Sequence, residues 1–329
     1  MSDTAAQKPY IKVENLKKYF HTKRGMLHAV DDVSFSIMKG ETLGLVGESG
    51  CGKSTLGRCL IRLLPSTDGH VLLHDEKTDG YTDVTKVGKR EMNNLRKRVQ
   101  IVFQDPYSCL NPRLSVWELI AEPLIVNRTC GSNKEMRGRV CELMTTVGLA
   151  ERLENSYPHE LDGGRRQRIG IARSLALNPE FIVLDEPVSA LDVCIQAQIL
   201  NLLNELQRDF HYTYVFISHN LSVVKHVSDR IAVMYLGQIV ELTEYKELFA
   251  NPLHPYTLAL LSAIPVAKLD VQNERIILEG DVGSPIEPPD CCRFAGRCSY
   301  VKDVCKNRTP ELAEHAPGHF VACHFTGNL

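Results

Sequence analysis

The sequence predicts an α/β protein. Its body would be a mixed, largely parallel sheet with a helical subdomain at about residues 110–178, followed by a small cysteine-containing extension. Three observations carry that reading. Short apolar runs alternate with helical periodicity from about residue 10 to 250. A glycine-rich stretch, GESGCGKS at 47–54, stands between one such run and one such helix. From about residue 250, prolines and then cysteines replace the alternation, which places a boundary there.

The elements follow in order. IKVENLKKYF (11–20) and VDDVSFSIMKG (30–40) read as strands, the second supported by the alternation of Val33, Phe35 and Ile37. Lys39, Gly40 and Glu41 turn the chain into the apolar strand TLGLVG (42–47). STLGRCLIRLL (54–64) has a helical pattern, and GHVLLHD (69–75) and RVQIVFQ (98–104) read as strands. Residues 115–150 carry helical spacing through Trp117, Leu119 and Ile120, then Val140, Leu143, Met144 and Val147. A helix opening at GGRRQR runs to Leu177, where Asn178 and Pro179 stop it. FIVLDE (181–186) is a buried strand, AQILNLLNELQRDF (197–210) an amphipathic helix and YVFISH (214–219) a strand. LSVVKHVS (221–228) is a helix and RIAVMYLGQIVEL (230–242) a strand or hairpin.

Composition sets bounds. Of 329 residues, 43% are hydrophobic and 24% charged, as in ordinary globular proteins. A formal net charge of -2 gives no bulk electrostatic case for nucleic acid. No run of about 18 uncharged apolar residues offers a membrane span. The N-terminal MSDTAAQKPYIKVENLKK has no apolar signal core, so a cytoplasmic location is expected. The basic run KREMNNLRKR (89–98) is read as a solvated surface or an interface to a membrane partner rather than a nucleic-acid site.

GESGCGKS fits G-x-x-x-x-G-K-[ST] between a strand and a helix. Gly47, Gly50 and Gly52 let backbone N–H groups turn inward around phosphate oxygens, joined by those of Ser49, Cys51 and Thr55. Lys53 reaches the β- and γ-phosphates, and the Ser54 hydroxyl can ligate Mg²⁺. FIVLDEP (181–187) ends an apolar strand in two acids, at the edge where parallel strands face a ligand. Asp185 would hold Mg²⁺, and Glu186 would polarise the attacking water, a contribution of typically ~10²–10⁴ in rate.

GESGCGKST, IVFQDP, GGRRQR, VLDEP, SALD and SHNL occur in that order, and on them residues 10–250 resemble an ABC-transporter nucleotide-binding subunit. The resemblance implies an ATP-hydrolysing enzyme that uses Mg²⁺. It makes Gln104 the glutamine that touches Mg²⁺ and the attacking water, and His219 the histidine on the γ-phosphate. Ser189, Ala190, Leu191 and Asp192 would lie at a dimer seam, and Phe20, or else Tyr19, would stack on adenine. Two such subunits would sandwich two ATPs, each between one phosphate loop and the other subunit's signature loop. Within the family, NPLHPYTLALLSAIP (251–265), CRFAGRC (292–298), Cys305 and APGHFVACHF (316–325) resemble the dipeptide/oligopeptide branch, which includes nickel and opine importers. That implies import of peptides with two transmembrane permease subunits, an extracytoplasmic binding protein and a second, homologous ATPase. The chain would then sit peripherally on the cytoplasmic face of the cell membrane. The cargo stays open among dipeptides, longer peptides, nickel chelates and opines.

Eleven cysteines need explanation. Cys51, Cys59, Cys109, Cys130, Cys141 and Cys194 are scattered and read as small buried hydrophobes. The other five begin at Cys291. Four of them, Cys292, Cys298, Cys305 and Cys323, suit Fe–S or zinc, since thiolates select both. The resemblance makes the site a structural [4Fe–4S] cluster. Cys291 could substitute for Cys292, and His319 and His324 are further zinc candidates.

The signature stretch departs from the family. LDGGR (161–165) has Asp162 where a serine is usual and Arg165 where a glutamine is usual, while Gly163 and Gly164 remain. Two opposed unit charges about 4 Å apart repel by about 4 kcal/mol at an effective dielectric near 20. Arg165, three positions on, could pair with Asp162. The expectation is an asymmetric heterodimer in which the site built on Asp162 is slow. Other classes fit poorly. Gln104 and Leu161 stand too close for a long coiled-coil insertion, a single G-x-x-x-x-G-K-[ST] rules out a two-cassette chain, and an exporter would usually carry fused membrane helices.

Overall fold

The computed structural model describes residues 8–264, 276–280 and 283–326. Residues 1–7 of the N-terminal segment, Pro265 of the 251–265 segment and the last three residues of the extension lie outside the described residues. The chain divides into two compact units, Met1–Lys86 with Phe216–Leu329, and Val87–Val215.

In the first unit, β1 (Ile11–Thr22) pairs antiparallel with β2 (Gly25–Ile37) and with β4 (Asp68–Asp75), and β5 (Gly80–Asp83) adds an edge. Val13 lies opposite both Phe35 and Val71, so the apolar alternation of all three strands faces one core. β3 (Thr42–Val46) is buried along its whole length and runs parallel to β9 (Arg230–Tyr235). β9 turns through Leu236 and Gly237, at φ 41° and 85°, into β10 (Gln238–Glu244). Two successive positive φ values match the right-handed twist of a hairpin. β10 then pairs with β12 (His319–Val321), and β12 with β11 (Ala313–Ala316). The cysteine-containing extension thus adds strands to the sheet that holds β3.

Five α-helices lie in this unit among the described residues: α1 (Lys53–Leu60), α8 (Leu221–Lys225), α9 (Tyr245–Ala250), α10 (Pro255–Ser262) and α11 (Asp303–Asn307), with a short 3-10 turn at Ala295–Arg297. The spacing of STLGRCLIRLL predicts a helix to residue 64, but α1 ends at Leu60. Arg62 takes a positive φ of 52°, and the amides of Leu63 and Leu64 both return to the Arg58 carbonyl.

The second unit holds α2 (Lys89–Arg98), β6 (Val99–Val102), α3 (Pro106–Cys109), α4 (Val116–Asn127), α5 (Asn133–Thr146), α6 (Gly163–Leu175), β7 (Phe181–Asp185) and α7 (Val193–Phe210). The division falls within β8 (Thr213–Ser218). β6 and β7 are parallel, with Ile101 opposite Val183. The basic run is α2, which buries only Met92 and Leu95. A Ser115–Glu118 capping box starts α4. The helical stretch then breaks where Arg128 takes φ 51°, and Ser132 caps α5. α6 ends at Leu175, two residues before the sequence signal.

Candidate active site

The phosphate-loop residues lie in the first unit, between β3 and α1. Glycine is obligatory at two of them. At Gly52, φ is +107° and a Cβ would stand 2.0 Å from the Ala29 carbonyl oxygen; at Gly47 it would stand 2.1 Å from that of Met234. Cys51 is buried, which pushes its thiol pKa up, and its carbonyl accepts the Gly237 amide at 2.8 Å. Lys53 is only 4% exposed, and its Nζ donates to the carbonyls of Gly47 at 2.8 Å and Glu48 at 2.9 Å. Ser49 and Gly50 are exposed, and Ser54 and Thr55 half-exposed, so the loop's rim opens outward at the start of a helix.

The two aromatic candidates differ in their engagement. Tyr19 stacks on His28 with centroids 4.0 Å apart, and its hydroxyl donates to Asp31. Burial and the Asp31 carboxylate push the Tyr19 pKa up. Phe20, next along β1 and therefore on the other face, carries the Lys18 ammonium 4.8 Å above its ring. His219 is exposed just past β8, and Asn220 caps α8 by accepting the Ser222 amide at 2.9 Å.

The carboxylates lie in the second unit. Asp185 ends β7 at 1% exposure. Glu186 follows at φ 48°, a left-handed conformation that costs a non-glycine residue about 1–3 kcal/mol. Gln104 Nε2 donates to Glu186 Oε2 at 2.8 Å, so two residues far apart in sequence meet. Ser189 donates to the Glu186 carbonyl through its amide at 3.3 Å and its hydroxyl at 3.1 Å. Asp192 caps α7 by accepting the Ile195 amide at 3.0 Å, and Ala190, Asp192, Val193 and Cys194 are exposed. The exposure of Cys194 corrects the reading of the scattered cysteines. Of those six only Cys51 and Cys59 are buried, while Cys109, Cys130 and Cys141 are partly exposed.

Asp162 caps α6. Its Oδ1 accepts the Arg165 amide at 2.8 Å and its Oδ2 lies 3.3 Å from Arg165 Nε. A Cβ at Gly164 would stand 2.6 Å from Ile195, so this glycine lets α6 and α7 approach.

In the extension, Cys292, Cys298, Cys305 and Cys323 line one small cavity of about 20 Å³ with Phe294 and His324. Burial pushes the Cys292 thiol up to about 11. Four thiols lining one largely apolar cavity are donors of the kind that soft metals select, although their arrangement is not that of a formed site. Among the described residues, no group of three or more His, Cys, Asp or Glu side chains is arranged to hold a metal ion. Cys291 does not line the cavity. Nor does His319, at 1% exposure, whose Nε2 is 2.7 Å from the buried Glu241. His324 does line it, with Nε2 3.0 Å from the Arg308 carbonyl.

The sequence reading passed over three residues around the phosphate loop. Arg297 donates to both oxygens of Glu48, Tyr256 accepts the Glu48 amide at 2.9 Å, and Arg293 donates to Asp31 and to the Leu236 carbonyl. The available signal was the pair of arginines four apart inside CRFAGRC.

Comparison with known proteins places these features. Residues 30–189 match the ABC transporter family model, and residues 240–305 match that of the oligopeptide/dipeptide transporter C-terminal region. The chain is 50% identical to the oligopeptide transport ATP-binding protein AppF of Bacillus subtilis, over 97% of this chain and 98% of that one. It is 49% identical to OppF of the same organism, over 95% of each. A putative peptide import ATP-binding protein of Brucella ovis is 47% identical over 96% of this chain and 97% of its own. Among solved structures, the dimeric bacterial ABC transporter cassette MJ0796 matches with a TM-score of 0.64 and 31% identity, over 71% of this chain and 98% of that one. The same cassette is known in a post-hydrolysis state with ADP and phosphate, at 30% identity. The chain therefore belongs to the ATP-hydrolysing subunits of ABC transporters, in the branch that carries the oligopeptide/dipeptide transporter C-terminal region.

Proposed function

We propose that this chain hydrolyses ATP to drive peptide import through a transporter of two permease subunits, an extracytoplasmic binding protein and a second, homologous ATPase. The observation that carries hydrolysis is the Gln104–Glu186 contact at the end of β7. The names of the AppF and OppF relatives support peptides as cargo. Residues 10–250 form the ATPase domain, and 251–329 the extension. Lys53 and the loop amides bind the phosphates, and Ser54, Asp185 and Gln104 hold Mg²⁺, which neutralises phosphate charge when bound. Glu186 orients and polarises water, and His219 contacts the γ-phosphate. Phe20 serves adenine, because Tyr19 is committed to Asp31 and His28.

Location and docking follow. Among the described residues no helix is long and apolar enough to cross a membrane. We place the chain peripherally on the cytoplasmic face, where a permease element would dock in the second unit. A groove of about 650 Å³ there is lined by Asn93, Arg96 and Lys97 of the basic run and by Phe103, Glu122 and Arg173. The Asp162 site turns over slowly, since Arg165 offsets the carboxylate's charge without restoring the serine hydroxyl. The four cysteines hold a [4Fe–4S] cluster, with zinc as the other candidate; when bound, the group cross-links the loop-rich extension.

The test is ATP hydrolysis by the transporter assembled in vesicles with its binding protein. Di- or oligopeptide loading of the binding protein is expected to raise the rate several-fold. Stimulation by a nickel chelate or an opine alone would contradict peptide cargo.

A further inference from the structure

The cysteine-bearing segment reaches the phosphate loop. Arg297, whose side chain is 10% exposed, donates through Nη1 to both carboxylate oxygens of Glu48, at 3.1 and 2.9 Å. Glu48 is the first variable position of the loop, and its carbonyl holds Lys53. The arginine is itself firmly placed. Phe294, three residues earlier and 2% exposed, packs among Tyr235, Tyr256 and His254. Arg293 bonds Asp31 and the Leu236 carbonyl, at the turn whose Gly237 amide holds Cys51. The segment thus touches the loop directly at Glu48 and is linked to Cys51 through the Leu236–Gly237 turn.

A carboxylate inside a polyphosphate-binding loop is an electrostatic liability. It repels the ligand and competes for Lys53 at short range. We propose that Arg297 is a positioning residue for ATP: it neutralises Glu48 and holds that carboxylate off the loop's phosphate-binding face, from within the C-terminal extension. This rests on the reading that residues 47–54 bind the phosphates.

The experiment is equilibrium binding of Mg-ATP to the full chain and its variants. Arg297→Ala is expected to weaken binding about tenfold, as loss of a charged partner does. Adding Glu48→Gln restores it to within about threefold, and Arg297→Lys, which keeps the charge, stays near wild type. Arg308→Ala, an exposed arginine of the same extension, changes nothing. A purely structural role for Arg297 gives no rescue by Glu48→Gln, which overturns the proposal, as does wild-type affinity in Arg297→Ala. If Arg297→Ala fails to fold, Glu48→Gln alone decides: affinity equal to or tighter than wild type supports the proposal, and weaker binding overturns it. Lys53→Ala separates the two readings. If it leaves binding intact, the loop is not the phosphate site; if it abolishes binding while Arg297→Ala does not weaken it, only the role of Arg297 falls.

Discussion

Asp162 accepts the Arg165 amide with one carboxylate oxygen and faces its guanidinium with the other. As a helix N-cap, aspartate equals serine, so α6 loses nothing by the exchange. The chemical task differs, because a hydroxyl can donate to a phosphate oxygen and a carboxylate cannot. The ion pair is exposed and screened, so it offsets only part of the repulsion. Changing Asp162→Ser with Arg165→Gln is therefore predicted to raise ATP turnover of the assembled transporter at least about twofold, at unchanged melting temperature; an unchanged rate counts against asymmetry. The spacing of these two residues made their pairing legible in the sequence. Glu186 was legible as a residue type, from two acids after an apolar strand. Its left-handed backbone and its bond to Gln104 were not, because both depend on distant parts of the chain.

At the scale of elements, what could be read followed burial. β3 and β7 are buried along their whole length and stood out as unbroken apolar runs. β5 and β11 carry no buried residue and give no hydrophobic signal, so they went unread. The phosphate loop was legible from its glycines, since at Gly47 and Gly52 any side chain meets a backbone oxygen. The extension was legible only as a composition change, and its strand pairing with β10 was not. By its place near the cysteines, His319 reads in the sequence as a zinc candidate. It is instead a buried partner of Glu241, which also accepts the Leu253 and His254 amides at 2.8 and 3.0 Å. For the cysteines, metal analysis of the chain purified without oxygen is predicted to find about four irons and as many sulfides per chain, lost on Cys305→Ser. One zinc per chain, or no metal with all eleven thiols titratable after unfolding, would contradict the cluster.

For the whole molecule, the two units carry different parts of the chemistry. The first has the phosphate loop, Phe20, His219 and the extension; the second has Gln104, Asp185, Glu186 and the signature helix. Motif order alone identified the family, and near-full-length identity of 47–50% to peptide-transport subunits supports it. The link from the extension back to the loop escaped that reading, because Arg297 and Glu48 are separated by most of the sequence. The central claim is that the site built on this chain's own loop and Glu186 powers transport. It is tested most directly by ATP hydrolysis in the assembled transporter with Glu186→Gln in this subunit alone, set beside the matching change in its partner ATPase alone. The account predicts a fall of at least about 10²-fold for the first change and less than about twofold for the second. Equal loss from both, or full turnover with Glu186→Gln in this chain, would contradict it.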